Sequence, residues 1–119
     1  MGSVMEKSLV ITQTLKGEIP VLSIAGRLDA ANAPEAEQAL ASLMEEGRRR
    51  IVIDAGSLAY ISSAGLRVLI AAKKRLSPQG GDIRLAGLQP PVRNVFAIAG
   101  FDRIFAIYDD AAAAVQSFS

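Results

Sequence analysis

The hydrophobic pattern at the start of the chain predicts two β-strands joined by a tight turn. Residues 8–15 and 19–25 are rich in β-branched residues, which favour strands. Between them, residues 16–18 read Lys-Gly-Glu, a sequence typical of a turn. We therefore expect an N-terminal β-hairpin.

The next two segments predict a helix followed by a buried strand. Asn32 is followed three residues later by Glu35, a spacing that marks helix N-termini, and Gly47 is expected to end the helix. Residues 51–53 form a continuous apolar run, which is expected for a central strand of a parallel sheet, covered on both faces. The apolar residues at helical spacing between Asn32 and Gly47 are Ala36, Ala39, Leu40, Leu43 and Met44.

The second half of the chain alternates between helical and strand patterns, so the predicted class is α/β, with a sheet, an N-terminal hairpin and about four helices packed on it. The predicted order is a loop over 54–62, a helix whose apolar stripe runs from Leu66 to Leu76 and that stops at 77–81, a strand at 83–85, a helix opened by Pro90-Pro91 and closed by Gly100, a strand at 104–107, and a last helix capped by Asp109.

Size and composition narrow the possible functions. A chain of 119 residues, 50% of them hydrophobic, is expected to form one domain over residues 1–119. The net charge of +1 gives no general electrostatic reason to bind nucleic acid or membranes. The sequence contains no histidine and no cysteine, which removes the Ser-His-Asp arrangement, thiol nucleophiles and most transition-metal sites. We assign no catalytic residue, no metal ligand and no cofactor.

The predicted location of the protein in the cell follows from the length of its apolar runs. They are far shorter than the roughly 18 residues that a membrane helix needs, so no membrane insertion is expected and the cytoplasm is the predicted location. Residues 1–7 are expected to be disordered or partly artificial, with Met5 nearer the natural start than Met1 to Ser3.

The most informative segment runs from the buried strand at 51–53 to two serines, Ser62 and Ser63, at a helix N-terminus. Unpaired backbone N–H groups and the positive end of the helix dipole allow a hydroxyl to cap the helix, or a phosphate to be held, at this position. Ala64 and Gly65 add little bulk and leave Ser63 accessible. From the spacing alone, simple capping by Ser62 or Ser63 is the commoner explanation.

A family resemblance adds a function to this segment. The chain resembles the STAS domain of bacterial anti-sigma factor antagonists over nearly its whole length, which implies the mixed sheet of that fold. The family's central motif is Asp, Ser, Ser or Thr, Gly, Leu, and its first hydroxyl residue accepts phosphate; Ser63 occupies that position. The similar segments are Gly26-Arg27-Leu28-Asp29, Tyr60-Ile61-Ser62-Ser63-Ala64-Gly65-Leu66, residues 88–96 and residues 99–105.

Two positions depart from the family motif. Ser62 replaces the aspartate and is a rival phosphate acceptor, and Ala64 replaces the second hydroxyl. Asp29 matches an acidic residue that lies near the acceptor loop in the family, but a turn aspartate at the end of the second strand explains it equally well. Asp54 is interpreted as a turn cap and is left out of the site.

The resemblance implies a bacterial transcription regulator that binds an anti-sigma factor with serine kinase activity, is released when Ser63 is phosphorylated, and is restored by a phosphatase. Three alternatives remain. One is a non-phosphorylated STAS scaffold or accessory subunit in a stress-sensing or membrane transport complex. Another is an enzyme of the doubly wound type, although no Gly-rich phosphate loop is present. The third is nucleic-acid binding through 48–50 and 73–75, basic runs that more often form solvated surfaces.

Overall fold

After an initial pair of strands, helices and strands alternate along residues 8–119, which are the residues that the computed structural model describes. The predictions for residues 1–7 lie outside this range. The elements are β1 (Leu9–Lys16), β2 (Ile19–Leu28), α1 (Ala33–Glu45), β3 (Arg50–Ile61), α2 (Ser63–Leu76), a 3₁₀ turn (Ser77–Gln79), β4 (Asp82–Ala86), α3 (Pro90–Ala99), a second 3₁₀ turn (Phe101–Arg103), β5 (Ile107–Tyr108) and α4 (Ala111–Gln116).

The five strands form one mixed sheet in the order β1-β2-β3-β4-β5. Strands β1 and β2 are antiparallel, and every later pair is parallel. The predicted hairpin and the predicted central position of residues 51–53 are therefore confirmed. All three side chains of that run are fully buried, as expected for a strand covered on both faces.

The helices cover the two faces of the sheet unequally. The larger core joins residues of α1, α2 and α3 to one face of the sheet, including Ile51 and Ile53. On the other face, Val52 packs in a smaller cluster with Ala114 of α4. Because successive side chains of a strand point to opposite faces, the single run 51–53 contributes to both cores.

The largest error in the sequence prediction concerns residues 54–62, which were expected to form a loop. Strand β3 instead continues to Ile61, where it pairs with Leu28 of β2. Register shifts between Ser23 and Ala25 and between Gly26 and Arg27 break the regular alternation that reveals a strand in a sequence. Asp54 consequently lies within β3, where its carboxylate accepts a hydrogen bond from the N–H of Gly56 at 3.0 Å.

Two smaller errors fall near the C-terminus. The last strand comprises Ile107 and Tyr108 rather than 104–107, because Phe105 is buried against Phe96, with ring centroids 6.0 Å apart, instead of entering the sheet. The last helix is capped by Asp110, not Asp109: the Asp110 carboxylate accepts a hydrogen bond from Ala113 N–H at 2.8 Å.

Within residues 8–119, none of the helices has both the length and the apolar character needed to cross a membrane.

Candidate functional site

Two loops meet at the carboxyl ends of the parallel strands β2 and β3. One connects β2 to α1, and the other is the short step from β3 into α2. The backbone N–H of Ser62 donates a hydrogen bond of 2.9 Å to the carbonyl of Leu28. The serine pair is therefore fixed to the end of β2 as well as to its own strand.

Ser62 is the N-cap of α2. Its side-chain oxygen accepts a hydrogen bond from Gly65 N–H at 3.3 Å, and its carbonyl accepts one from Leu66 N–H at 3.0 Å. The residue is extended and half-buried, as is usual for a capping serine. The capping interpretation derived from the sequence thus applies to Ser62.

Ser63 is the first residue of α2 and is exposed to solvent. Across residues 8–119, its hydroxyl makes no hydrogen bond, and neither do the backbone N–H groups of Ser63 and Ala64. No acidic residue lies in the first turn of the helix. The Ser63 hydroxyl is therefore open to a macromolecule, next to two free N–H donors and with no neighbouring carboxylate in that turn.

Gly65 and Ala64 pack the first turn of α2 closely against the core. Gly65 is buried, and a Cβ atom there would lie 2.8 Å from Leu28 Cγ and 2.9 Å from Ile61 Cγ1. Such distances are below normal van der Waals contact, so only glycine lets α2 approach the strand ends this closely. Ala64 is half-buried and packs against the main core.

Asp29 shapes the neighbouring β2–α1 loop. Its Oδ1 accepts hydrogen bonds from Ala31 N–H at 3.0 Å and from Asn32 N–H at 3.1 Å, the arrangement of a turn aspartate. Asp29 directly follows Leu28, whose carbonyl accepts the hydrogen bond from Ser62 N–H. The hydrogen bonds show Asp29 as a turn residue, and its role at the acceptor loop stays a prediction.

The sequence did not identify Asn32 as part of this site. Asn32 was predicted to cap α1, but its side chain makes no capping bond. The buried side-chain amide instead accepts from Asp29 N–H at 2.8 Å and donates to the Arg27 carbonyl at 2.8 Å and to Ser8 Oγ at 3.0 Å. The spacing Asp29-x-x-Asn32 between two regular elements was the available signal, since both residue types favour such turns.

An arginine and a tyrosine contact each other near the ends of β2 and β3. The guanidinium carbon of Arg27 lies 4.2 Å from the centre of the Tyr60 ring, a cation–π contact at the ends of β2 and β3. Arg67 is exposed one helical turn after Ser63. Arg67 therefore adds an exposed cation to the helix that carries Ser63.

The basic run at 73–75 is partly used in an internal ion network at the far end of α2. Lys73 and Arg84 both contact the Asp82 carboxylate. Burial acts to raise the pKa of Asp82, but the hydrogen bonds from Lys73 and Arg84 outweigh it and hold the pKa below its ordinary value. Arg84 also donates to the Ser117 carbonyl at 2.6 Å, which ties α4 to the sheet.

Comparison with known proteins assigns the family. The family model for the STAS domain matches residues 11–114. The chain is 42% identical over 98 residues to BtrV of Bordetella bronchiseptica, a protein provisionally named an anti-sigma factor antagonist. The match covers 82% of this chain and 84% of BtrV. The chain belongs to the STAS domain family of anti-sigma factor antagonists.

Solved structures agree with the fold of this STAS domain. An anti-sigma factor antagonist from Mycobacterium paratuberculosis superposes with a TM-score of 0.85 at 24% identity, covering 92% of this chain and 93% of the other. The Bacillus cell fate determinant SpoIIAA in its phosphorylated form gives 0.73 at 17% identity, covering 92% and 100%. Over residues 8–119, the mixed five-stranded sheet with four helices is thus the STAS fold, in a family whose members are non-enzymatic regulators.

Proposed function

We propose that this STAS protein binds an anti-sigma factor with serine kinase activity and is released when that kinase phosphorylates Ser63. The observation that carries the proposal is the division of labour between the two serines. The hydroxyl of Ser62 is used to cap α2, whereas the hydroxyl of Ser63 is exposed and unbonded within residues 8–119. Ser63 is therefore the better phosphate acceptor, although Ser62 occupies the place of the family aspartate.

In the proposed reaction, Ser63 Oγ attacks the γ-phosphorus of the ATP held by the kinase. The bond from that phosphorus to the bridging oxygen breaks, ADP leaves, and the hydroxyl proton passes to a base on the kinase or to water. A phosphatase reverses the change by hydrolysing the phosphoserine. The STAS protein supplies only the acceptor, so it needs no catalytic residue or cofactor of its own.

The domain is expected to remain folded after phosphorylation. The phosphate adds about −1.5 to −2 charge at the positive end of a helix dipole, where anions are stabilised by about 0.3 to 2 kcal/mol. The free N–H groups of Ser63 and Ala64 face the same region, and the first turn of α2 contains no carboxylate to repel the phosphate. The negative charge therefore adds no large destabilising term to the free energy of folding.

Phosphorylation is expected to weaken the complex between this protein and the anti-sigma factor. At an interface the phosphate must lose water or face the partner's own groups, which costs several kcal/mol. A cost of about 4 kcal/mol weakens binding nearly a thousandfold. The same modification thus ends binding and preserves the fold, which is what a reversible switch requires.

The neighbouring residues have supporting roles in this proposal. Ser62 and Gly65 fix the start of α2, Ala64 anchors its first turn, and Asp29 orders the adjacent loop. Bacterial sigma factors act on RNA polymerase in the cytoplasm, so the proposed role places the protein there.

The decisive experiment incubates the protein with ATP and the kinase-type anti-sigma factor encoded in the same genome, then maps the phosphorylated residue by mass spectrometry. We expect phosphate on Ser63, no phosphate on the Ser63→Ala variant, and phosphate still on Ser63 in Ser62→Ala, the matched control, even if the reaction is slower because the cap of α2 is lost. Ser63→Ala should still bind the partner, and Ser63→Asp should bind weakly while remaining folded. Phosphate on Ser62 alone would transfer the acceptor role to that residue, and no phosphate on either serine would refute the switch.

The second candidate is a STAS scaffold or accessory subunit of a stress-sensing or membrane transport complex that is never phosphorylated. The observation in its favour is that Ser62 and Ala64 both depart from the family's phosphorylation motif. Stable binding of the partner in the presence of ATP, without modification of either serine, would favour this role.

A further inference from the structure

Strand β1 forms one edge of the sheet, and within residues 8–119 nothing pairs with its outer side. The Ser8 carbonyl accepts a hydrogen bond from Arg27 N–H at 2.7 Å, and Lys16 pairs with Ile19 across a two-residue turn. Since hydrogen-bonded pairs alternate along an antiparallel ladder, the even-numbered residues of β1 direct their N–H and C=O groups toward β2. The residues that direct theirs outward are Leu9, Ile11, Gln13 and Leu15.

This outer edge lacks the features that normally keep edge strands from pairing. Proline, charged residues and bulges are the usual protection. From Leu9 to Leu15 the strand reads Leu-Val-Ile-Thr-Gln-Thr-Leu, without charge and without proline, and its pairing with β2 has no register shift. Lys16, at the very end, is its one charged residue. Such an edge favours the addition of another strand.

The same strand carries an exposed apolar side chain at one end and a recess at the other. Leu15 is 52% exposed and, by the alternation of side chains, points to the same face as Leu9 and Ile11. A recess of about 430 Å³ lies toward the start of β1, and Leu15 is not part of its lining. Residues 9–13 of β1 and Leu22 of β2 contribute to it from the sheet, and Glu35, Gln38 and Ala39 from α1.

We propose that two copies of this chain pair through their β1 strands, antiparallel and about a twofold axis at Thr12, to form a continuous sheet. In this register Leu9 faces Leu15 of the second copy, and Ile11 faces its Gln13. All four outward-directed residues of each strand then have hydrogen-bonding partners, whereas a register centred on Gln13 leaves Leu9 without one. Each Leu15 enters the recess of the other copy.

A second copy fits this edge better than an unrelated strand because the exposed leucine and the recess belong to the same strand. Twofold symmetry covers both at once, as isologous interfaces do. The pairing also sets no like charges opposite each other, since Lys16 faces Ser8 of the second copy. Ser63 begins α2 just beyond the end of β3, two strands away from this edge, so dimerisation leaves the acceptor open and does not depend on the proposed switch.

The direct test is sedimentation equilibrium of the full chain over a wide range of concentrations. We expect a species of twice the chain mass of 12.5 kDa that dissociates on dilution into the micromolar range, on the order of what a small interface supports. A monomer at every concentration up to about 1 mM would overturn the proposal.

Two matched variants separate this interface from general apolar association. Leu15→Lys should weaken the dimer by roughly a hundredfold, because two buried leucines are lost. Ile98→Lys, which removes an even more exposed apolar side chain on α3 (88% exposed), should leave the dissociation constant unchanged. Equal loss in both variants would contradict the assignment to β1.

The register can be tested independently, because the chain contains no cysteine. At the proposed axis the two Thr12 residues form a non-hydrogen-bonded pair with Cα atoms about 4.5 Å apart, a distance that a disulfide spans. Thr12→Cys should therefore form a covalent dimer on mild oxidation, and Thr14→Cys, which faces Val10, should not. Cross-linking at Thr14 but not at Thr12 would refute the register, whatever the effect of Leu15→Lys on folding.

Discussion

The backbone N–H of Ser62 donates a 2.9 Å hydrogen bond to the carbonyl of Leu28, and this bond joins the end of β2 to the start of α2. The side chain of Leu28 also lies next to Gly65, in the first turn of α2. Because both contacts act on the first turn of α2, the position of the exposed Ser63 hydroxyl depends on residues distant in sequence.

The two serines should differ in their contribution to stability. Ser62→Ala removes the cap of α2 and is expected to lower the free energy of unfolding by about 1 kcal/mol. Ser63→Ala removes an exposed hydroxyl with no bond within residues 8–119 and should change it by less than about 0.5 kcal/mol. Urea denaturation of both variants measures this difference, and a larger loss for Ser63→Ala would show that the capping assignment is wrong.

Gly65→Ala should destabilise the protein by about 1 to 3 kcal/mol, since the added methyl group must displace Leu28 and Ile61. In an open helix the same substitution would stabilise by up to about 1 kcal/mol, so the sign of the effect is itself diagnostic. Thermal unfolding measures it, and a raised melting temperature would contradict the close packing of α2 on the strand ends.

Asn32→Ala should cost about 2 to 3 kcal/mol. The substitution leaves the Asp29 N–H, the Arg27 carbonyl and Ser8 Oγ without the bonds that the buried amide makes. Amide hydrogen exchange provides a local measurement: the Asp29 N–H should exchange faster in the variant, whereas amides of β4 should lose protection only as far as global stability falls. Unchanged exchange at Asp29 would contradict this role.

The ion network at Asp82 predicts a pH dependence. Because the pKa of Asp82 is lower in the folded state than its ordinary value of 3.8, the carboxylate stabilises the fold above that pH, and its contribution is lost as the pH falls through the lower folded value. The stability difference between the parent protein and Asp82→Asn should therefore be present near neutral pH and shrink below about pH 4. A difference that stays constant down to about pH 2 would rule out this contribution.

Local pattern determined much of this protein. Several features could be predicted from a few neighbouring residues, because helix period, capping and turn chemistry are short-range effects. They are the hairpin, the central apolar strand at 51–53, the three helices after β2, β3 and β4, and the serine pair at a helix N-terminus. The family resemblance then identified Ser63 as the candidate acceptor, which remains a prediction.

Only the tertiary structure decided which serine caps and which is exposed, that β3 continues to Ile61, and that Asn32 serves the β2–α1 loop instead of its own helix. The tertiary structure also decided that Phe105 packs in the core and that β5 therefore begins only at Ile107. Each of these outcomes depends on a partner in another element of the fold: Leu28 for Ser62 and Ile61, Ser8 for Asn32, Phe96 for Phe105. Propensity favours several local conformations almost equally at such positions, and long-range pairing and packing select among them.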